Sequence, residues 1–209
     1  FAAKVVANEL RRAALGDPER SLALREQALA IWRRVDHKRG EALVLQGIAG
    51  VERDLGRLAR AETLLEDALA LSVALDDERR TVLLLMDLGG LLIEQGRVER
   101  AEIQLRDALA RAQASGDPLL DARARLALAG IETARSRHAE ALALIDRARQ
   151  LSAGMGDRWT EGHAWADRAA ALEALRRDRD AREAWARAVS LHEAVGARRW
   201  LHVWNGRLA

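Results

Sequence analysis

Apolar residues recur three and four positions apart along almost the whole chain, the spacing that lines one face of an α-helix. Val5, Val6, Leu10, Ala13 and Ala14 open the pattern, and Ala101, Leu105 and Ala108 are a later instance. The spacing predicts helices over 3–15, 18–35, 38–55, 58–75, 78–95, 98–115, 118–135, 138–153, 158–175, 178–195 and 198–208. Gly16-Asp17-Pro18 and Gly116-Asp117-Pro118 punctuate it. Gly suits the left-handed position after a helix, Asp caps the next one, and Pro is tolerated at its first residue. No run alternates apolar and polar as a half-buried strand would. Joints this short turn each helix back along the one before it.

The pattern repeats with a period of 40 and no insertion. Gly96, Ala101, Leu105 and Ala108 have counterparts in Gly56, Ala61, Leu65 and Ala68, then in Ala141, Ile145 and Ala148, and again in Ala181, Trp185 and Ala188. Asp77, Asp117 and Asp157 recur as caps at one phase. A fixed period means stacked supersecondary units, each too thin to bury its own apolar face. The expected units are 1–37, 38–77, 78–117, 118–157 and 158–197, with a partial or capping helix at 198–209, forming a single solenoid over 1–209. Small side chains at 101 and 108 let a paired helix come close, and the large residue at 105 fills the space left between them.

Composition fits helix: Ala, Leu, Arg and Glu dominate, Pro occurs twice, Tyr and Cys are absent, and there is one Phe. Without Cys there is no disulfide framework and no thiolate metal site. The formal net charge is +2, and the Arg pairs are scattered with acids beside most of them, unlike the basic face of a nucleic-acid binder. Charges interrupt every apolar segment before it reaches membrane-spanning length. A cytoplasmic location is the expectation. The first residue is Phe rather than Met, and the chain is expected to be a piece of a longer protein.

The repeated residues resemble the tetratricopeptide repeat (TPR). The third unit carries Leu85, Leu88 and Gly89, then Gly96, Ala101, Leu105 and Ala108. The second carries Leu45, Ile48, Ala49, Gly56, Ala61, Leu65 and Ala68; the fifth carries Trp165, Arg168, Ala169, Leu172, Ala181, Trp185 and Ala188. The period is similar to the longer variety found in kinesin light chains and in the sensor region of bacterial regulators such as the maltose-regulon activator. Two features depart from the pattern. Asn8-Glu9 and Arg25 stand at apolar positions of the first unit, and Ser136 and Arg176 replace the turn Gly. The resemblance implies an all-α, right-handed superhelical solenoid of antiparallel helix pairs, about five repeats long.

It also implies a concave face lined by the first helix of each pair. The positions that would meet a partner are Leu43, Gln46, Gly50 and Arg53; Leu83, Met86, Asp87, Gly90, Ile93 and Glu94; Arg123, Leu126, Gly130 and Thr133; and His163, Ala166, Asp167, Ala170 and Glu173. A helix-interior Gly is about 1 kcal/mol worse than Ala, so Gly50, Gly90 and Gly130 at one phase need a reason. One is a shallow floor for a partner backbone; the other is close packing of neighbouring first helices. The charged members would set the register of the partner.

No catalytic constellation has the right spacing. The five His form no H-E-x-x-H pair, and there is no G-x-S-x-G elbow or phosphate loop. Neither cofactor nor metal is expected. The expected work is non-catalytic: presenting a groove to a peptide or helix of a partner protein, with no direct contact to nucleic acid or membrane. The alternatives are an effector-sensing domain of a bacterial signalling ATPase or transcriptional regulator, and a structural module that self-associates through its terminal helices. Trp165 and Trp185 fall at core positions; Trp200 and Trp204 give the last helix an apolar face. Trp32 and Trp159 have no assigned place. Arg39, Arg79 and Arg199 share one phase near the joints, as a solvated edge or a basic ridge.

Overall fold

The computed structural model describes residues 17–196. The expected helices 3–15 and 198–208, with Trp200, Trp204 and Arg199, lie outside them. Among the described residues there are nine helices and no strand. They are α1 (Pro18–Arg34), α2 (Lys38–Asp54), α3 (Leu58–Ala74), α4 (Glu78–Glu94), α5 (Val98–Ala114), α6 (Pro118–Ala134), α7 (His138–Met155), α8 (Arg158–Ala174) and α9 (Asp178–Ala194). The boundaries follow the sequence reading to within a residue or two. The largest difference is α7, which continues through Gly154 to Met155, where 154–156 reads as a Gly-rich joint. Gly154 has open space where its Cβ would be, and Gly156 makes the turn.

Two compact units divide the chain, Phe1–Gln95 and Gly96–Ala209. In the first, α1 to α4 pack each against the next; in the second, α5 to α9 do the same, and α6 also touches α8. The small-large-small skeleton is the core of both. Ala61, Ala68, Ala101, Leu105, Ala108, Ala141, Ala148 and Ala188 are fully buried, with Leu65, Ile145, Ala181 and Trp185 nearly so. Burying a Leu-sized side chain contributes about 1.5–3 kcal/mol, so repetition of this one contact supplies much of the stability.

Every joint turns in the same way. The residues at 36, 56, 76, 96, 116, 136, 156, 176 and 196 all have φ between 51° and 74°. Five are Gly, which bears this left-handed conformation without a Cβ clash. Asp36, Asp76, Ser136 and Arg176 adopt it too, so loss of the turn Gly in the later units does not change the geometry. Arg176→Gly is therefore expected to stabilise the protein by roughly 0.5–1 kcal/mol, relief of αL strain less the entropy of Gly in the unfolded chain. Thermal denaturation reads the difference; a lower melting temperature would show that the Arg side chain contributes more than its backbone costs.

From α2 onward the starts of the helices alternate between capped and uncapped. Asp17, His37, Asp77, Asp117 and Asp157 accept hydrogen bonds from backbone N–H groups at the starts of α1, α2, α4, α6 and α8. The caps of α3, α5, α7 and α9 are Arg57, Arg97, Arg137 and Arg177, with no side-chain cap bond. Arg57 instead pairs with the fully buried carboxylate of Glu52 at 3.3 Å, which Arg60 also reaches at 3.1 Å. Arg137 pairs with Glu132 at 2.6 Å.

Candidate functional site

The first unit brings α2 and α4 together along the predicted face. Gln46 donates from Nε2 to Asp87 Oδ2 at 2.6 Å, and its Oε1 accepts from Arg80 Nη1 at 2.9 Å. Two helical turns further on, Arg53 forms a bidentate pair with Glu94, at 3.0 and 2.9 Å from Nε and closer still from Nη2. Bidentate pairing fixes direction as well as distance. Both rungs span 41 residues, so the polar members of this face are already ordered by one another.

Around the rungs, Leu43 is exposed, Leu83, Met86 and Ile93 are half-buried, and Gly50 is exposed. A Cβ built on Gly50 meets nothing within 4 Å, and one on Gly90 meets only the tip of Arg53 at 3.8 Å. Packing within the chain therefore gives no reason for Gly at 50 or 90. Beside Gly50 lies a cavity of about 90 Å³, floored by Ala49, Ala61 and Leu65 and rimmed by Gln46, Arg53 and Asp87. Burial pushes the Asp87 carboxyl above the usual Asp range, against the opposing pull of the Gln46 hydrogen bond and the Arg53 charge. Ala49, Ala61 and Leu65 were expected in the repeat core rather than beside this face, and Arg80 was not among the expected face residues. The rungs were legible: Gln46 and Arg53 are spaced as Asp87 and Glu94 are, one period and one residue away.

In the second unit the predicted residues divide. Leu126 packs against a core cluster of Ala129, Ala141, Ile145, Ala164 and Ala171. Ala166 is itself buried, in the cluster around Trp185. Thr133, Asp167 and Ala170 are exposed; Gly130 is half-buried. Arg123 donates from Nε to Thr160 Oγ1 at 3.3 Å and lies 3.8 Å from Asp157, which also accepts from the Thr160 hydroxyl at 2.7 Å. Glu173 accepts from Trp185 Nε1 at 2.7 Å. Trp165 is half-buried, with Arg149 over its ring at 4.7 Å and Arg168 at 5.5 Å. The unplaced Trp32 lies beside His37 and against Gly40, and Trp159 makes a ring cluster with His163 at 5.0 Å and His192 at 5.4 Å.

His163 and His192 are 4.8 Å apart, edge to face. Burial, then the neighbouring His192 and Arg123, push His163 down to about 4, with Asp157 opposing. The fold thus holds this imidazole neutral where the unfolded chain, near 6.5, takes up a proton. Its contribution is present in full above pH 6.5 and is lost as pH falls from there towards 4. The expected loss is on the order of 1 kcal/mol after allowance for partial exposure. Melting curves between these limits check it: His163→Gln is expected to flatten the acid-side fall, and an unchanged slope would discount the ring.

Among the described residues no group of His, Asp and Glu could hold a metal ion, and no helix is long and apolar enough to cross a membrane. The family model of a MalT-like TPR region matches residues 8–203. No curated protein sequence matches the chain closely enough to count as a relative. Among solved structures, the chain is similar to BtubC (BKLC) from P. vanneervenii, with a TM-score of 0.72 and 18% identity over 93% of this chain and 81% of that one. It is similar to PlcR from Bacillus thuringiensis, solved with the peptide PapR7 and DNA, with a TM-score of 0.75 and 14% identity over 99% of this chain and 73% of that one. A signal transduction ATPase with a tetratricopeptide repeat sensor, from Pyrococcus horikoshii, matches at a TM-score of 0.71 and 14% identity, over 96% of this chain and 30% of that one. At these identities the likeness is one of fold.

Proposed function

The chain belongs to the MalT-like TPR family, and from that premise we propose that it is a non-catalytic interaction module whose first unit presents the α2–α4 face to a peptide or helix of a partner protein. The observation that carries this reading is the pair of helix-interior glycines, Gly50 and Gly90, which nothing inside the chain requires. Each forgoes about 1 kcal/mol of helix stability relative to Ala, and a partner backbone lying close to the helix accounts for that loss. Leu43, Leu83, Met86 and Ile93 offer it apolar contact, while the Gln46–Asp87 and Arg53–Glu94 rungs hold the floor rigid. In the second unit, the exposed Thr133, Asp167 and Ala170 remain candidates for contact.

A second reading follows from the family itself. The match to a MalT-like region, and the likeness to an ATPase carrying a TPR sensor, favour an effector-sensing role within a larger regulator. The same face would then take the effector or an inhibitory segment. For both readings the discriminating variant is Gly50→Arg, Gly90→Arg, whose Cβ atoms clash with nothing in the chain. Captures with wild type and variant as bait are expected to differ by the loss of specific partners at an equal melting temperature. Equal recovery of every captured protein would remove the α2–α4 face from consideration.

A further inference from the structure

The two units carry one face with different residues. Two periods separate Gln46 from Leu126, Arg53 from Thr133, Asp87 from Asp167 and Glu94 from Ala174. The acid is kept, but nothing that holds it in the first unit is. There, Asp87 accepts from Gln46 and is drawn by the charge of Arg53, which Glu94 keeps in place. In the second unit, Leu126 has no donor and packs on the core, and Thr133 is short and uncharged. Asp87 is half-buried, whereas Asp167 is exposed. Among the described residues Asp167 has no hydrogen bond and no ion pair, so both carboxylate oxygens are open to an incoming donor.

We propose that the α6–α8 face of the second unit binds an arginine side chain of a partner protein, with the guanidinium on the Asp167 carboxylate. The inference rests on the reading of the chain as an interaction module and adds a contact that the first unit does not supply. The partner's cation does for Asp167 what Arg53 does for Asp87 within the chain. Thr133 and Ala170, small and exposed, leave the approach open. A guanidinium presents two parallel N–H donors to a carboxylate with both oxygens available, and an ammonium does not. The other charged groups of the face are engaged elsewhere. Arg123 on α6 reaches Thr160 and Asp157, and Glu173 accepts from Trp185 of α9. Asp146 and Arg149 on α7 pair with each other, and Asp146 also with Arg168. Burial alone pushes the Asp167 carboxyl up to about 7, because the face surrounds it with protein without covering it. Near neutrality the unbound carboxyl is thus about half protonated, and an arriving cation displaces the proton.

The test uses the whole chain, carbon-13 labelled at the Asp carboxyls, with N-acetyl-arginine amide as the probe. N-acetyl-citrulline amide, of the same shape but uncharged, is the control. The signal lost in Asp167→Asn identifies the carboxyl, and melting temperature checks the fold of that variant. In the free chain this carboxyl is expected to titrate at about 7. The arginine probe is expected to bind saturably, to move that titration down, and to bind about tenfold more weakly near pH 6 than near pH 8, following the ionised fraction. His163, pushed down to about 4, stays neutral over that range. No binding is expected with the citrulline probe or with Asp167→Asn. Equal binding of both probes, binding that survives Asp167→Asn, an affinity independent of pH, or no binding would each overturn the site. N-acetyl-lysine amide binding as tightly as the arginine probe would overturn the choice of arginine. A carboxyl that titrates near the ordinary Asp value of 3.8 in the free chain would show that the chain supplies its own cation. Failure here is separable from failure of the first-unit reading. If Gly50→Arg, Gly90→Arg loses captured partners while the arginine probe does not bind, the first unit binds a partner and this assignment is wrong. If captures are equal while the probe binds as described, the assignment stands and the α2–α4 reading falls.

Discussion

Ala108→Leu is expected to lower the unfolding free energy by about 1–3 kcal/mol, the usual cost of forcing extra methylenes into a filled core. Ala108 is fully buried on α5, one turn from the fully buried Leu105 and two from Ala101. The small residues set how closely the neighbouring helix approaches, and the large one fills the gap, so a second large side chain has no space to enter. Ala110 on the same helix is exposed, and Ala110→Leu supplies the control for helix propensity and hydrophobicity. Urea denaturation of both variants gives the comparison. If Ala108→Leu unfolds at the wild-type midpoint, the contact is not close-packed and the repeat register is wrong.

Gly162→Ala is expected to cost a similar 1–3 kcal/mol, for a reason that involves a partner side chain. A Cβ on Gly162 would lie 2.2 Å from two atoms of the His192 ring, and His192 is fully buried with Nδ1 3.0 Å from the Ala188 carbonyl. The ring has to leave its place. Positions 42, 82, 122 and 162 share one phase, as do 72, 112, 152 and 192: the pairs read Ala with Ser, Val with Ala, Ala with Ser, and Gly with His. Ser72 and Ser152 are fully buried and donate to carbonyls four residues back, at 3.0 Å each. Gly162→Ala combined with His192→Ser recreates the pairing of the second and fourth 40-residue repeats and is expected to recover most of the loss. A double-mutant cycle measures the coupling; additive losses would mean that the ring and the glycine do not share the space.

Helix positions, joints and buried skeleton were legible in the chain because a strict period multiplies weak local signals. One Ala-x₃-Leu-x₂-Ala is ordinary; several in phase fix both the element and its inward face. The left-handed turn was legible as geometry but not as residue choice, since Asp36, Asp76, Ser136 and Arg176 occupy it alongside Gly. The face of the first unit was partly legible. Phase alone puts Gln46, Gly50 and Arg53 on one side of α2, but α3 supplies Ala61 and Leu65 to the cavity, and a pattern read one helix at a time does not combine two helices. The places of Trp32 and Trp159 were not legible, because each depends on a glycine or histidine in another element. Ala166 shows the opposite limit: its phase matches the predicted face, yet the bulk of Trp185 places it in the interior.

The alternation of helix caps makes the two rims of each unit unequal. Asp or His side chains stitch down opening amides of α1, α2, α4, α6 and α8, whereas at Arg57, Arg97, Arg137 and Arg177 no cap side chain does. Opening within each compact unit is therefore expected to begin at the arginine-capped helix starts rather than at the aspartate-capped ones. A surface built on the stitched helices keeps its shape while its backing loosens.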